Sequence, residues 1–104
     1  HWKTGDKLPE EEFKKLKNSH TFNSGLATLR QVHFALTDMR LHSEWNKDNP
    51  LSPDELRREI AKETSVIQPI DEDQFLCSFS HILAGGYSAG YYSYKWAEVL
   101  SADA

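Results

Sequence analysis

The stretch from Thr21 to Trp45 restricts the fold more than any other part of the chain. It reads as one long helix, with Thr21 or Asn23 as its cap, and its apolar residues do not keep to one side. One row runs Phe22, Leu26, Leu29, His33 and Leu36, and flanking rows hold Val32 with Met39 and Phe34 with Leu41 and Trp45. A helix apolar over so much of its girth is normally buried within a larger body. The other elements offer few apolar faces to cover it. The chain starts at His1 and stops at Ala104 inside a helical pattern with no Gly or Pro stop. The expectation is a piece of a longer protein.

Around that helix the punctuation predicts shorter ones. Pro9 suits a first helical position, Glu10, Glu11 and Glu12 favour the positive end of the helix dipole, and Lys14, Lys15 and Lys17 lie toward the other. A surface helix of about Pro9 to Asn18 follows, with only Phe13 and Leu16 on its apolar side. Ser52, Pro53, Asp54 and Glu55 read as a helix start, with Ser52 and Glu55 in capping-box spacing. Leu56, Ile60 and Ile67 mark one side of that helix, which should end before Pro69. The run Phe75 to Phe79 fits an extended segment or a turn of helix equally. Gly85-Gly86 would cost a helix about 1 kcal/mol each relative to Ala, so a flexible loop is expected there, and a last helix from about Tyr87 onward. His33 has no second ligand three or four residues away and is expected to be a hydrogen-bonded core histidine. Arg40 and Glu44 are spaced for a helix ion pair.

Composition narrows the function. The net charge is −4, and the 12 Lys and Arg are interleaved with acids, leaving no basic stripe for nucleic acid or an anionic membrane. No apolar run approaches the roughly 18 residues of a spanning helix. The single cysteine, Cys77, excludes an internal disulfide and suits a reducing compartment, the cytoplasm or an organelle lumen. His81 lies four residues on, but a nucleophile and its base usually come from distant parts of the chain, so Cys77 reads as a small buried apolar residue.

The sequence contains no His-Glu-x-x-His, Gly-rich phosphate loop, Cys-x-x-Cys or Gly-x-Ser-x-Gly. It does contain a row of phenols. Tyr87, Tyr91 and Tyr94 are spaced four and then three apart, which in a helix puts them on one face. A buried hydroxyl without a partner costs roughly 1–3 kcal/mol, so such a face asks for a polar target. Together with His81, the phenols are suited to stabilising a developing oxyanion. A Tyr-rich packing or binding face is the other reading, and the residues alone leave both open.

The stretch from Phe79 through Ser80-His81-Ile82-Leu83-Ala84-Gly85-Gly86-Tyr87-Ser88-Ala89-Gly90-Tyr91-Tyr92-Ser93-Tyr94-Lys95-Trp96 to Leu100 resembles the segment after the zinc site in the oligopeptidase A and thimet oligopeptidase family of metallopeptidases. The Thr-Gly-x-x-Leu-Pro of Thr4 to Pro9, Leu29-Arg30-Gln31 and Arg40-Leu41-His42 also resemble that family's order of segments, so the likeness covers essentially all 104 residues. The spacing of His81 and Tyr87 is closer to the oligopeptidase A and dipeptidyl carboxypeptidase branch. The resemblance implies an all-α fragment of a larger two-lobed, zincin-type oligopeptidase, residues 1–104 forming part of its C-terminal catalytic region. It implies zinc-dependent hydrolysis of short peptides, the Zn2+ being held outside this segment by a His-Glu-x-x-His motif and a further Glu. By itself the segment should be inactive. It further implies that His81, Tyr87 and Tyr94 hydrogen-bond the substrate backbone or the tetrahedral intermediate, Tyr94 foremost at the oxyanion. Tyr91 would line the same face, and Gly85 and Gly86 would let the loop close over a peptide. Lys95 departs from the pattern, standing where the family more often has an apolar residue. The rival expectation is a non-catalytic helical subunit, structural or interacting, derived from such an enzyme.

Overall fold

A computed structural model describes residues 1–103. Among those residues six helices follow one another: α1 (Glu10–Ser19), α2 (Ser24–Ser43), α3 (Pro53–Thr64), the single turns α4 (Phe75–Ser78) and α5 (Ser80–Leu83), and α6 (Ser93–Asp103). Among the described residues there is no strand, as the all-α expectation requires.

Local chemistry sets the helix ends. Pro9 stands just outside α1, at its N-cap, and the three glutamates occupy the first turn. Asn23 is the N-cap position of α2, but with φ 57° it stands in the left-handed region instead of the extended one usual for a cap, and it makes no capping hydrogen bond. At α3 the predicted box is complete: the Glu55 amide donates to Ser52 Oγ at 3.2 Å, and the Ser52 amide donates to Glu55 Oε2 at 2.7 Å. The ambiguous run at Phe75 resolves as a helical turn. Ile67 lies beyond the end of α3 and is 87% exposed, so it marks no face of that helix.

The long helix packs on α3 through a polar seam. Thr64 donates its hydroxyl to the Ile60 carbonyl at 2.7 Å, which leaves its oxygen to accept from His33 Nδ1 at 2.8 Å. His33 is thus the hydrogen-bonded core histidine that the sequence predicts. Thr37 turns its hydroxyl back to the His33 carbonyl at 2.7 Å. Buried Arg57 donates to Asp54 at 3.1 Å and to Asp73 at 3.0 Å, while Arg58 donates to the carbonyls of Ile70 at 2.9 Å and Asp71 at 2.7 Å. The two arginines therefore fasten the acidic loop after α3 to the helix. Beside this seam, Phe34, Phe79 and Ile82 form an aromatic and aliphatic core, flanked by Leu41, Phe75, Leu76 and Tyr91. Phe34 and Phe75 stack at 4.8 Å between ring centroids. Arg40 and Glu44 approach to 3.5 Å as expected. Cys77 is exposed rather than buried, because α4 turns its neighbours Phe75 and Leu76 inward and leaves the sulfur outside.

Much of the apolar surface has no cover. Phe22 is 77% exposed, Trp96 64% and Leu100 62%. The radius of gyration is 19.0 Å, against about 13 Å for a compact chain of this size. The isolated chain should therefore bind an apolar dye and unfold with weak cooperativity, and a sharp, dye-free thermal transition would contradict this.

His33 adds a pH dependence. Burial above all, then the positive charges of Arg57 and Arg30, lower its pKa from 6.5 against an opposing pull from Asp73. The unfolded chain takes up this proton near 6.5 and the folded chain resists it, so stability is complete above that pH and falls as pH drops toward the depressed folded value. Melting followed by circular dichroism should show a lower midpoint at about pH 5.5 than at about pH 7.5, a loss that His33→Gln should reduce. An imidazole titrating at or above 6.5 by NMR would reject this account.

Candidate functional site

The phenols and His81 stand on the segment that runs from α5 to α6. The amides of Ala84 and Gly85 both donate to the Ser80 carbonyl at 2.8 Å, closing α5. The chain then doubles back. A Cβ on Gly85 would lie 2.7 Å from His81 Cα and 2.9 Å from the His81 carbonyl oxygen, both backbone atoms that cannot yield. Gly86 has φ +82°, in the left-handed region. One glycine is thus required for space and the other for backbone direction. The turn is held by the Tyr87 amide donating to the His81 carbonyl at 3.2 Å and the Ser88 hydroxyl donating to the Ile82 carbonyl at 2.7 Å.

The helix expected from Tyr87 begins instead at Ser93. Ala89 has φ 54°, which interrupts any helix. The Ala89 amide donates to Asp38 Oδ1 at 2.8 Å and the Tyr91 amide to Asp38 Oδ2 at 2.9 Å. A left-handed non-glycine residue costs roughly 1–2 kcal/mol, whereas a hydrogen bond to a charged acceptor contributes about 1.5–3 kcal/mol. Two such bonds outweigh the strain, so the carboxylate on α2 overrides the local helical tendency. His42 Nδ1 lies 2.9 Å from the same Asp38 Oδ1.

The tyrosines still converge, by turns rather than along a helical row. Tyr87 and Tyr94 stack at 5.1 Å with an interplanar angle of 29°, and Tyr91 meets Tyr94 at 5.0 Å. The His81 ring is 6.3 Å from that of Tyr87. Tyr91 differs from the other two. Its ring packs edge-on against Phe34 and Phe79 at 5.7 and 5.3 Å, and its hydroxyl donates to Gln31 Oε1 at 3.1 Å. Burial raises its pKa, with Arg30 opposing. Tyr87 and Tyr94 are 37% and 39% exposed and His81 is also exposed, so these three rings face outward. The neighbouring Tyr87 hydroxyl, followed by partial desolvation, raises the pKa of Tyr94 above its ordinary 10.0. A phenol holds its proton at neutral pH even at the ordinary value, so Tyr94 stands there as a neutral donor.

Asp38 and Ser88 escape a reading by motif. Gln31 stands in the Leu29-Arg30-Gln31 segment without an evident partner in sequence. The available signal for Asp38 is an acid set among the apolar rows of α2, where a solvated residue would not be placed. Lys95, the departure noted above, is half-buried and pairs with Glu98 one turn on, so α6 accommodates it. Among the described residues no three of His, Cys, Asp and Glu come together as a metal-holding group.

A family model described as peptidase family M3 matches residues 1–104. Over 104 residues the chain is 55% identical to organellar oligopeptidase A, chloroplastic/mitochondrial, of Arabidopsis thaliana, which covers all of this chain and 13% of that protein. It is 53% identical to the probable cytosolic oligopeptidase A of the same plant and 44% identical to oligopeptidase A of Escherichia coli strain K12. All of this chain and 15% of each relative is covered in both cases. The chain thus spans roughly one seventh of the length of these relatives. With the family model matched from the first residue to the last, the chain belongs to peptidase family M3.

Proposed function

We propose that this segment serves a zinc-dependent oligopeptidase as the part that binds short peptides and donates hydrogen bonds to the scissile carbonyl as charge develops on it. The observation that carries this reading is the stacked, outward-facing pair Tyr87 and Tyr94 beside His81. Tyr94 is the foremost oxyanion donor: it stacks on Tyr87 at the outward face, and a neutral phenol does not compete as a ligand. Tyr87 and His81 hydrogen-bond the peptide backbone. Tyr91 lines the cluster through its ring while its hydroxyl remains with Gln31. The Gly85-Gly86 joint acts as a hinge that brings Tyr87 onto the bound peptide. Zinc would be held by the remainder of the polypeptide and supply Lewis-acid chemistry there.

The partners in this reading are short peptides and the rest of the metallopeptidase chain, with no nucleic acid and no membrane. No described helix is long and apolar enough to cross a membrane. Two relatives are named as organellar and cytosolic proteins, in keeping with a reducing compartment, cytoplasm or organelle lumen, for this one.

Removing one well-placed donor commonly lowers rate by about 10²–10³. In the complete enzyme, Tyr94→Phe should therefore lower kcat on a short fluorogenic peptide by about two orders of magnitude with little change in KM. A variant with wild-type kcat would remove Tyr94 from the chemistry.

A further inference from the structure

Asp38 is fully buried on α2, at 0% exposure, where an apolar side chain would serve packing better. No Lys or Arg pairs with it among the described residues. Its two oxygens instead reach across 51 and 53 residues of sequence to the amides of Ala89 and Tyr91, while His42 Nδ1 stands 2.9 Å from Oδ1. Those amides bracket the turn that separates the two outward-facing phenols. Tyr87 precedes Ala89 by two residues, and its carbonyl accepts from Gly90 at 2.8 Å. Tyr94 follows Tyr91 by three residues, and its amide donates to the Tyr91 carbonyl at 3.2 Å. Any displacement of the clamped amides is therefore passed to both rings through a backbone already bent at Ala89.

The geometry points to Asp38 as the positioning residue of the site: by accepting the Ala89 and Tyr91 amides, it sets where the Tyr87 and Tyr94 phenols stand relative to one another. Its kinetic consequence rests on the oxyanion-donor reading proposed above; the clamp itself does not. Asp38 touches no substrate. It acts through the turn, and Gln31 holds the same turn from the side-chain end through the Tyr91 hydroxyl.

Asp38→Asn in the complete enzyme tests this, because it keeps the shape but sets an NH2 donor against a backbone N–H. Misplacement of a catalytic group by about 1 Å can cost about 10²-fold, so kcat should fall between about 10- and 10²-fold, and KM should rise because Tyr87, which holds the peptide backbone, is displaced as well. In a Tyr94→Phe background the same substitution should cost far less in kcat, since the oxyanion donor being positioned is already gone, while the KM effect through Tyr87 persists. An equal loss of kcat in both backgrounds would mean a general structural defect and would overturn the assignment. Amide hydrogen exchange supplies a readout independent of turnover. Ala89 and Tyr91 should exchange slowly in the unmutated protein and quickly in Asp38→Asn, with the α3 amides unchanged. Rapid exchange at both positions in the unmutated protein overturns the clamp whether or not the variant folds. Protected amides combined with full activity in Tyr94→Phe would instead retain the clamp and sink the oxyanion reading.

Discussion

The structure between α5 and α6 depends on one buried carboxylate. Asp38 satisfies two backbone amides that no helix or strand could satisfy, because Ala89 at φ 54° has already turned the chain out of the helical region. A buried charge is tolerated only when its acceptor sites are filled, and here they are filled by the element it organises. The cost of burial and the strain at Ala89 are offset by the same pair of hydrogen bonds. Everything downstream follows: the successive turns from Tyr87 to Tyr94, the late start of α6, and the stacking of two phenols that are seven residues apart.

What could be read in advance divides along the range of the interactions. The capping box at Ser52 and Glu55, the Arg40–Glu44 pair and the acidic first turn of α1 are settled within three or four residues, and each forms as its spacing implies. His33 was also legible, since its neighbours three and four residues away offer no second ligand and its apolar row implies burial. The start of α6 was not. The Tyr87, Tyr91 and Tyr94 spacing satisfies a helical face perfectly well, and only a residue some 50 positions earlier decides otherwise. Cys77 failed for a related reason. The four-residue run of α4 is too short for periodicity to say which side faces in, and its aromatic neighbour wins the core by stacking on Phe34.

Within the site, legibility was uneven in a way that bears on roles. Sequence spacing treats the three tyrosines alike, but the fold separates them by what their hydroxyls meet. Tyr91 is drawn into the aromatic core and its hydroxyl is taken by Gln31, whereas Tyr87 and Tyr94 stack on each other and remain more than a third exposed. The two glycines are separated in the same manner. A flexible loop needs no particular glycine, yet Gly85 is demanded by contact with the His81 backbone and Gly86 by its dihedral angle. The joint is therefore a shaped turn, and hinge motion in the proposed function would have to preserve the Gly85–His81 approach while rotating about Gly86.

The open side itself is part of the argument. A phenol at 39% exposure competes with water for any carbonyl it approaches, and in a high dielectric its hydrogen bond contributes little to a developing charge. The donor strength that the proposed function requires belongs to a water-excluded cavity. The apolar residues left uncovered along α2 and α6, Leu26, Leu36, Trp96 and Leu100 among them, have the same deficit from the opposite chemistry. In the proposed oligopeptidase, polypeptide beyond this one-seventh span would cover the apolar faces and narrow the solvent around Tyr87, Tyr94 and His81. Burying the hydrophobic surface and strengthening the donors would then be one event, with Asp38 ensuring that the phenols are already in register when it happens.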